Sequence, residues 1–185
     1  MNTGRIEIVY LQDDEAYVLL HLCGKKKLFC ITLHPDSSLK GTVSEENLYP
    51  VLSSLYQKGA LLWKGDKAVL QEPYRGMIQA LSEASYCLII RKPMDIWCAG
   101  AAYPGRNSVV YIERSMTADR QIRLTIMEKK TFLQYLKDAD VLPREVDHDE
   151  RFIKERYSQE DFNKEAGVFF TDPDVCAVID CYSLS

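Results

Sequence analysis

The sequence predicts an α+β fold in which helices pack on one face of an antiparallel sheet. In the first half, apolar residues recur at helical spacing in two stretches that a tight hairpin signal separates. In the second half, three apolar stretches joined by short turns are typical of an antiparallel meander. The helix and hairpin of the first half also predict a winged-helix-like unit there.

The chain opens with a predicted strand at residues 5–11 and a helix that ends at Cys23. Asp13 or Asp14 can cap this helix, because a carboxylate accepts hydrogen bonds from the free N–H groups of a first turn. Gly24 suits the left-handed position that follows a helix. The apolar stretch 28–33 predicts a second strand, which the next proline and polar residues stop.

The next helix carries an apolar stripe at helical spacing: Leu48, Val51, Leu52, Leu55 and Tyr56. Ser44 or Asn47 can cap it. Pro50 favours a start near Asn47, because a proline in the first turn has no hydrogen bond to lose. Gly59 ends the helix. The elements predicted next are a hairpin at 61–70, a helix opened by Pro73 and a strand at 86–90.

The meander consists of three predicted strands, at 95–103, 108–115 and 120–127. The third strand alternates, so Ile122, Leu124 and Ile126 face inward and the other face meets water or a partner. A helix is predicted at 128–138. Its inward residues are Phe132, Leu133 and Leu136.

Leu142 and Pro143 mark a boundary in the predicted organisation. Residues 1–143 are expected to form the α+β core domain. Residues 144–185 are expected to add a charged helical extension and short terminal strands that pack on this core. The two terminal strands are predicted at 168–170 and 176–179.

Composition and charge limit the classes of protein to which the chain can belong. The chain has 185 residues and a net charge of -4, which gives no overall attraction to phosphate backbones. No apolar run reaches the roughly 18 to 20 residues of a membrane span, and the N-terminus has no signal core. The expected location is therefore the cytoplasm, without a membrane partner.

The six cysteines lie in apolar stretches, which favours reduced and buried thiols. A zinc site from Cys23, Cys30, His21 and His34 is disfavoured. His21 and Cys23 are two positions apart on a predicted helix, so their side chains point to nearly opposite sides. The sequence therefore predicts no metal site.

Catalytic signatures are weak throughout the sequence. Asp147-His148-Asp149 follows a proline in a charged segment, which is typical of a solvated connector. The segment 100–105 lacks the lysine and the helix start of a phosphate cradle. These observations predict a non-enzymatic protein without a cofactor, and leave open an enzyme whose site assembles from scattered residues.

A winged-helix transcriptional regulator is the alternative function. Between Ser44 and Lys58 the sequence has one basic residue and two glutamates. Phosphate contacts and base readout are made largely by arginine and lysine. The charge pattern therefore favours a protein ligand over nucleic acid.

Aromatic and methionine side chains in and near the meander predict a partner-binding surface, because these side chains are typical of interface cores. The turn at 115–119 is expected to be exposed, and the third strand contributes its outward face. The predicted partner-binding residues are Trp97, Tyr111, Met116, Thr117 and Arg123.

The order of these signals resembles the EspG-like chaperones of type VII secretion over roughly residues 5 to 143. The opening helix of that family is similar to Leu11–Ala16 and Leu19–Gly24, and its helix end to Leu52–Leu61. Its sheet, helix and leucine-proline stop resemble Val109–Glu113, Ile122–Leu124, Phe132–Leu136 and Leu142-Pro143.

The resemblance implies a cytoplasmic chaperone that binds the tip of a helical-hairpin export substrate through a sheet-edge loop and a helical bundle. The chain is shorter than typical members and is abbreviated after Pro143. It also has six cysteines that the family pattern does not include. The sequence leaves open whether the protein forms a homodimer.

Overall fold

In the part of the chain that the structure describes, the main sheet has six antiparallel strands. The computed structural model describes residues 6–22, 24, 28, 31–39, 45–91, 100–114, 120–138 and 178–184. Across the sheet the order is β1 (Glu7–Gln12), β7 (Gln121–Glu128), β6 (Ser108–Arg114), β5 (Gly100–Pro104), β4 (Tyr86–Arg91) and β8 (Val178–Ser183). Strands β5, β6 and β7 are neighbours in chain order, so the predicted meander is confirmed.

Four α-helices and one separate hairpin complete the described part of the chain. The helices are α1 (Asp13–Leu22), α2 (Glu45–Gln57), α3 (Tyr74–Glu83) and α4 (Lys129–Asp138). The hairpin consists of β2 (Leu61–Lys64) and β3 (Lys67–Leu70), with Gly65 in its two-residue turn. A short 3-10 helix covers Ser37–Leu39. The α+β class and the helix-hairpin unit are confirmed.

The sheet is covered on both faces, which differs from the expectation of helices on one face. The larger core joins residues of α1, α2 and α3 to one face, including Val110 and Ile112 of β6. A smaller core joins Phe132 and Leu136 of α4 to the opposite face, including Tyr111. Strand β6 is apolar on both sides, as is typical of a strand buried on both faces.

The outward face of β7 is therefore only partly open. Thr125 and Met127 are buried on the α4 side of the sheet, and Arg123 remains partly exposed there. The prediction that this face meets water or a partner is wrong at Thr125. In α4, Leu133 is exposed although it was expected to face inward.

Helix α2 begins at Glu45, two residues before the predicted start. Pro50 therefore lies inside the helix, where it removes one hydrogen bond to the preceding turn. Glu45 and Glu46 in the first turn offset part of this cost, because their charge interacts favourably with the helix dipole. The predicted end is confirmed, since Gly59 has a φ of 70°.

The predicted strand at 28–33 is wrong in its described part. Leu28 and Ile31 form an isolated bridge, and residues 32 and 33 are not in a strand. Backbone groups nearby instead form hydrogen bonds with side chains. Arg114 donates to the Thr32 carbonyl, and the His34 N–H donates to the Asp13 carboxylate at 2.8 Å.

The C-terminal strand β8 pairs with β4 along six residues and forms one edge of the main sheet. It begins at Val178, two residues after the start of the strand predicted at 176–179. The predicted strand at 168–170 and the charged helical extension lie outside the described residues. The division at residue 143 therefore stays a prediction, although β8 adds to the sheet of the predicted core domain.

Candidate partner-binding surfaces

The five predicted partner-binding residues fall into two groups. Trp97, Met116 and Thr117 lie outside the described residues. Tyr111 and Arg123 both lie on the α4 side of the sheet. Tyr111 is only 6% exposed, because its ring packs against Phe132 and Tyr135 with ring centroids 5.9 and 5.7 Å apart. Of these two described residues, only Arg123 offers an accessible side chain.

The charge of Arg123 is balanced by a neighbour in the next strand. Its Nε donates to Glu113 Oε2 at 2.9 Å, and a second guanidinium nitrogen contacts the same oxygen. The hydrogen bond with Glu113 raises the pKa of Arg123, and burial raises the pKa of Tyr135 beside the pair. This position therefore presents a neutral ion pair and a protonated phenol.

A groove between α2 and the hairpin is a largely apolar concave surface. Its volume is about 480 Å³. The lining residues are Glu45, Leu48, Tyr49, Leu52, Ser53, Tyr56 and Trp63. Tyr49 is 75% exposed, and the rings of Tyr56 and Trp63 are half-exposed. Exposed aromatic side chains around an apolar groove are characteristic of protein-binding sites.

One side of the groove is held by a buried carboxylate of α1. Glu15 accepts hydrogen bonds from Ser54 Oγ at 2.7 Å and from Lys58 Nζ at 2.6 Å. Both donors lie in the C-terminal half of α2 or directly after it. Because Glu15 is buried, these bonds fix α2 against α1 more firmly than exposed bonds would.

The other side of the groove is fixed by the turn from α2 into β2. The Gly59 N–H donates to the Tyr56 carbonyl at 2.9 Å, and the Ala60 N–H donates to the Leu55 carbonyl at 2.8 Å. This pair of bonds defines a Schellman motif, which reverses the chain at a left-handed glycine. Trp63 is thereby placed beside Tyr56 with little freedom between the two elements.

Sequence reasoning did not identify this groove. The predicted apolar stripe assigned Tyr56 to the inward face of α2, but only Val51 and Leu55 of that stripe are fully buried. Tyr49 lies next to the stripe on the helix surface, and its position is the clearest indication in the sequence of an exposed aromatic side chain on α2. An aromatic residue that falls off the inward stripe of an amphipathic helix is expected to be exposed.

The charges of the helix-hairpin unit bear on the winged-helix alternative. Helix α2 contains Glu45 and Glu46 and no lysine or arginine. The hairpin contributes exposed Lys64 and Lys67 beside Asp66. A recognition helix without a basic residue lacks the side chains that make most phosphate contacts.

A second groove, also about 480 Å³, is lined by Glu83, Ser85, Tyr86, Pro104, Gly105, Arg106 and Lys129. Glu83 is the only carboxylate among the described residues that line it. It accepts hydrogen bonds from Gln79 Nε2 at 2.9 Å and from the Arg106 N–H at 3.2 Å, and both bonds lower its pKa. An ionised carboxylate that is committed to holding a turn is a poor general base.

Metal ligands do not gather in the part of the chain that the structure describes, since no three His, Cys, Asp or Glu side chains lie together there. Cys87 is buried, whereas Cys181 of β8 is exposed, contrary to the expectation of buried thiols. None of the described helices is long and apolar enough to cross a membrane.

Comparison with known proteins gives no further indication of function. No family model matches the chain, and no curated protein shows significant similarity to it.

Proposed function

We propose that this protein is a non-enzymatic adaptor that binds a helical protein substrate in the groove between α2 and the hairpin. The observation that supports the proposal most strongly is the set of exposed aromatic rings, Tyr49, Tyr56 and Trp63, around an apolar groove of about 480 Å³. Aromatic anchors of this kind dominate binding energy where they fill or border a desolvated pocket.

The shape of the groove favours a helix as the ligand. Its α2 wall extends from Glu45 to Tyr56, which is about three helical turns. An amphipathic helix presents apolar side chains at positions i, i+3, i+4 and i+7 over a similar length, so it can lie along this wall. Helices pack side by side in this way at preferred crossing angles.

The charges at one end of the groove indicate the sign of the charge that the ligand carries there. Glu45 lines the groove, and Glu46 follows it on the same first turn. Neither carboxylate has an ion-pair partner among the described residues. We expect the bound helix to carry lysine or arginine where it passes this end, because charge complementarity guides association and fixes orientation.

The resemblance to EspG-like chaperones supports the same class of function. It extends the proposal to a helical-hairpin substrate of type VII secretion and to a cytoplasmic location. In that family the substrate contacts a sheet-edge loop, which corresponds to the predicted turn at 115–119. Met116, Thr117 and Arg123 are therefore proposed as a second contact for the same substrate.

The proposal is tested by recovering the partner and measuring its affinity. Tagged protein purified from the native cell should retain a predominantly helical protein, which is then expressed alone and titrated. Tyr49→Lys should weaken binding about tenfold or more, because it places a charge in an apolar contact. Tyr86→Lys changes an exposed tyrosine outside this groove and should bind normally. Equal binding by both variants would contradict the proposal.

DNA binding is the second candidate, and the observation that favours it is the exposed pair Lys64 and Lys67 on the hairpin that follows α2. In a winged helix these lysines would contact phosphates. A DNA shift assay at low salt tests this function, because phosphate contacts give strongly salt-dependent binding. Binding that is lost in the Lys64→Glu/Lys67→Glu variant would favour DNA over a helical protein.

A further inference from the structure

Among the residues that the structure describes, none pairs with the outer edge of β1 over a short window. The odd-numbered residues of β1 form its backbone hydrogen bonds with β7. The next odd-numbered residue, Asp13, shows this alternation, because its N–H donates to the Arg120 carbonyl at 2.8 Å. In an antiparallel ladder the N–H and carbonyl of one residue point to the same side. The backbone groups of Ile6, Ile8 and Tyr10 therefore point away from the sheet.

Side chains close this edge at its C-terminal end. Lys58 Nζ donates to the Tyr10 carbonyl at 3.2 Å, and the Gln12 N–H donates to Glu15 Oε2 at 2.7 Å. No described residue bonds the outward backbone groups of Ile8 or the Tyr10 N–H. The open window thus extends from Ile6 to Tyr10 and has Ile8 at its centre.

The side chains of the same three residues form an apolar stripe on the α4 side of the sheet. Ile6 and Ile8 are each 50% exposed, and Tyr10 is 49% exposed. Helix α4 covers Tyr111 further across this face but leaves the β1 end uncovered. Exposed edge strands are usually blunted by lysine or proline within the strand, and β1 contains neither.

We propose that β1 pairs with β1 of a second copy of this chain, antiparallel and about a two-fold axis at Ile8. This register joins Ile8 to its own copy and Ile6 to Tyr10 of the second copy. It forms about four backbone hydrogen bonds from groups that no described residue bonds. Two six-stranded sheets then become one continuous sheet across the dimer.

Charge selects this register over its neighbour. Centred on Ile8, the pairing places Glu7 opposite Val9 of the second copy. Shifted by one position to centre on Glu7, it would place two glutamates directly opposite each other, which is destabilising. The stripe is also self-complementary in the selected register, because Tyr10 lies beside Ile6 at both ends and the two Ile8 side chains meet at the axis.

The contact is small. Five residues from each strand bury less than the roughly 1,200 Å² of total surface that is typical of stable complexes, so the dimer should dissociate on dilution. This surface is separate from the groove of α2, and the dimer does not depend on the proposed substrate.

Sedimentation equilibrium tests the pairing on the full chain. From about 5 µM to about 500 µM the mass should rise from 21.2 kDa toward twice that value. Ile8→Lys should remain monomeric throughout. Ile8→Pro should also remain monomeric with a nearly unchanged melting temperature, since it removes an outward N–H that forms no bond to β7. Tyr49→Lys, on α2, should dimerise as the wild type does.

Ile6→Lys provides the same test without altering a residue of β1 itself, should either Ile8 variant fail to fold. A mass that stays at 21.2 kDa at every concentration would overturn the proposal. So would a dimer that persists in folded Ile8→Lys and Ile6→Lys. Hydrogen exchange adds a positional readout, because the amides of Ile8 and Tyr10 should exchange more slowly at high concentration.

Discussion

Arg114 at the end of β6 binds the carboxylate of Asp13 at the start of α1, with two guanidinium contacts of 3.2 and 3.3 Å. The Asp13 side chain is 1% exposed. Asp13 also accepts the His34 N–H, so the pair ties the sheet, α1 and the following loop together. The relationship joins residues 101 positions apart in the chain.

Removing the arginine should destabilise the fold. Arg114→Met leaves the buried Asp13 charge without its partner and should lower the free energy of unfolding by about 3 kcal/mol. Arg114 is partly exposed, which places this value at the lower end of the range for broken buried pairs. Urea unfolding measures the loss. In Asp13→Asn/Arg114→Met the loss should be smaller than the sum of the two single losses, and simple additivity would contradict this account.

Two glycines should respond oppositely to alanine. A Cβ at Gly100 would overlap the ring and hydroxyl of Tyr111, which is buried and cannot move aside freely. Gly100→Ala should therefore lower the free energy of unfolding by about 1–3 kcal/mol.

Gly76 lies inside α3, where its nearest obstacle is the flexible end of Glu72 at 3.1 Å. Gly76→Ala should stabilise the protein by about 0.5–1 kcal/mol through helix propensity. Thermal melts of both variants check the pair, and a loss at Gly76 would be contrary to expectation.

Glu83 should make stability depend on pH. Hydrogen bonds from Gln79 and the Arg106 N–H lower the pKa of Glu83 below its ordinary value of 4.5. A lowered pKa in the folded state means that the stabilisation is present above pH 4.5 and is lost as pH falls through the folded-state pKa. Wild type should exceed Glu83→Gln in stability at pH 7, and the difference should shrink in acid. A difference that is constant with pH would argue against this role.

Charge substitution at Met116 tests the second proposed contact. Met116→Lys should weaken the complex with the helical partner and leave the melting temperature of the isolated protein nearly unchanged. Titration with the purified partner measures the first effect, and a thermal melt measures the second. Tyr86→Lys, at an exposed tyrosine outside both proposed contacts, is the control and should bind normally. Full affinity in Met116→Lys would restrict the binding site to the groove of α2.

Local sequence signals predicted the helix-hairpin-helix order well. Gly59, Gly65 and Pro73 mark boundaries that depend on backbone conformation alone, and the structure places a turn or a helix start at each. The strand predicted at 28–33 failed because its fate depends on distant partners. Arg114 binds the Thr32 carbonyl of that segment and Asp13 binds the N–H of His34 just after it, and no local pattern encodes such contacts.

The groove and the position of α4 could not be predicted for a related reason. The stripe of α2 was read correctly at Val51 and Leu55, but Glu15 holds the helix in a rotation that leaves Tyr56 half-exposed. Which face of a sheet a helix covers depends on the path of the chain after the last strand. Helix α4 follows β7 directly and packs on the face that carries Tyr111.

Site-specific photo-crosslinking of the purified complex tests the central claim most directly. A photoreactive amino acid at position 49 should form an adduct with one helical segment of the partner, near a lysine or arginine of that segment. The same amino acid at position 86 should form none. Crosslinks from position 86 in the absence of crosslinks from position 49 would contradict binding in the groove between α2 and the hairpin.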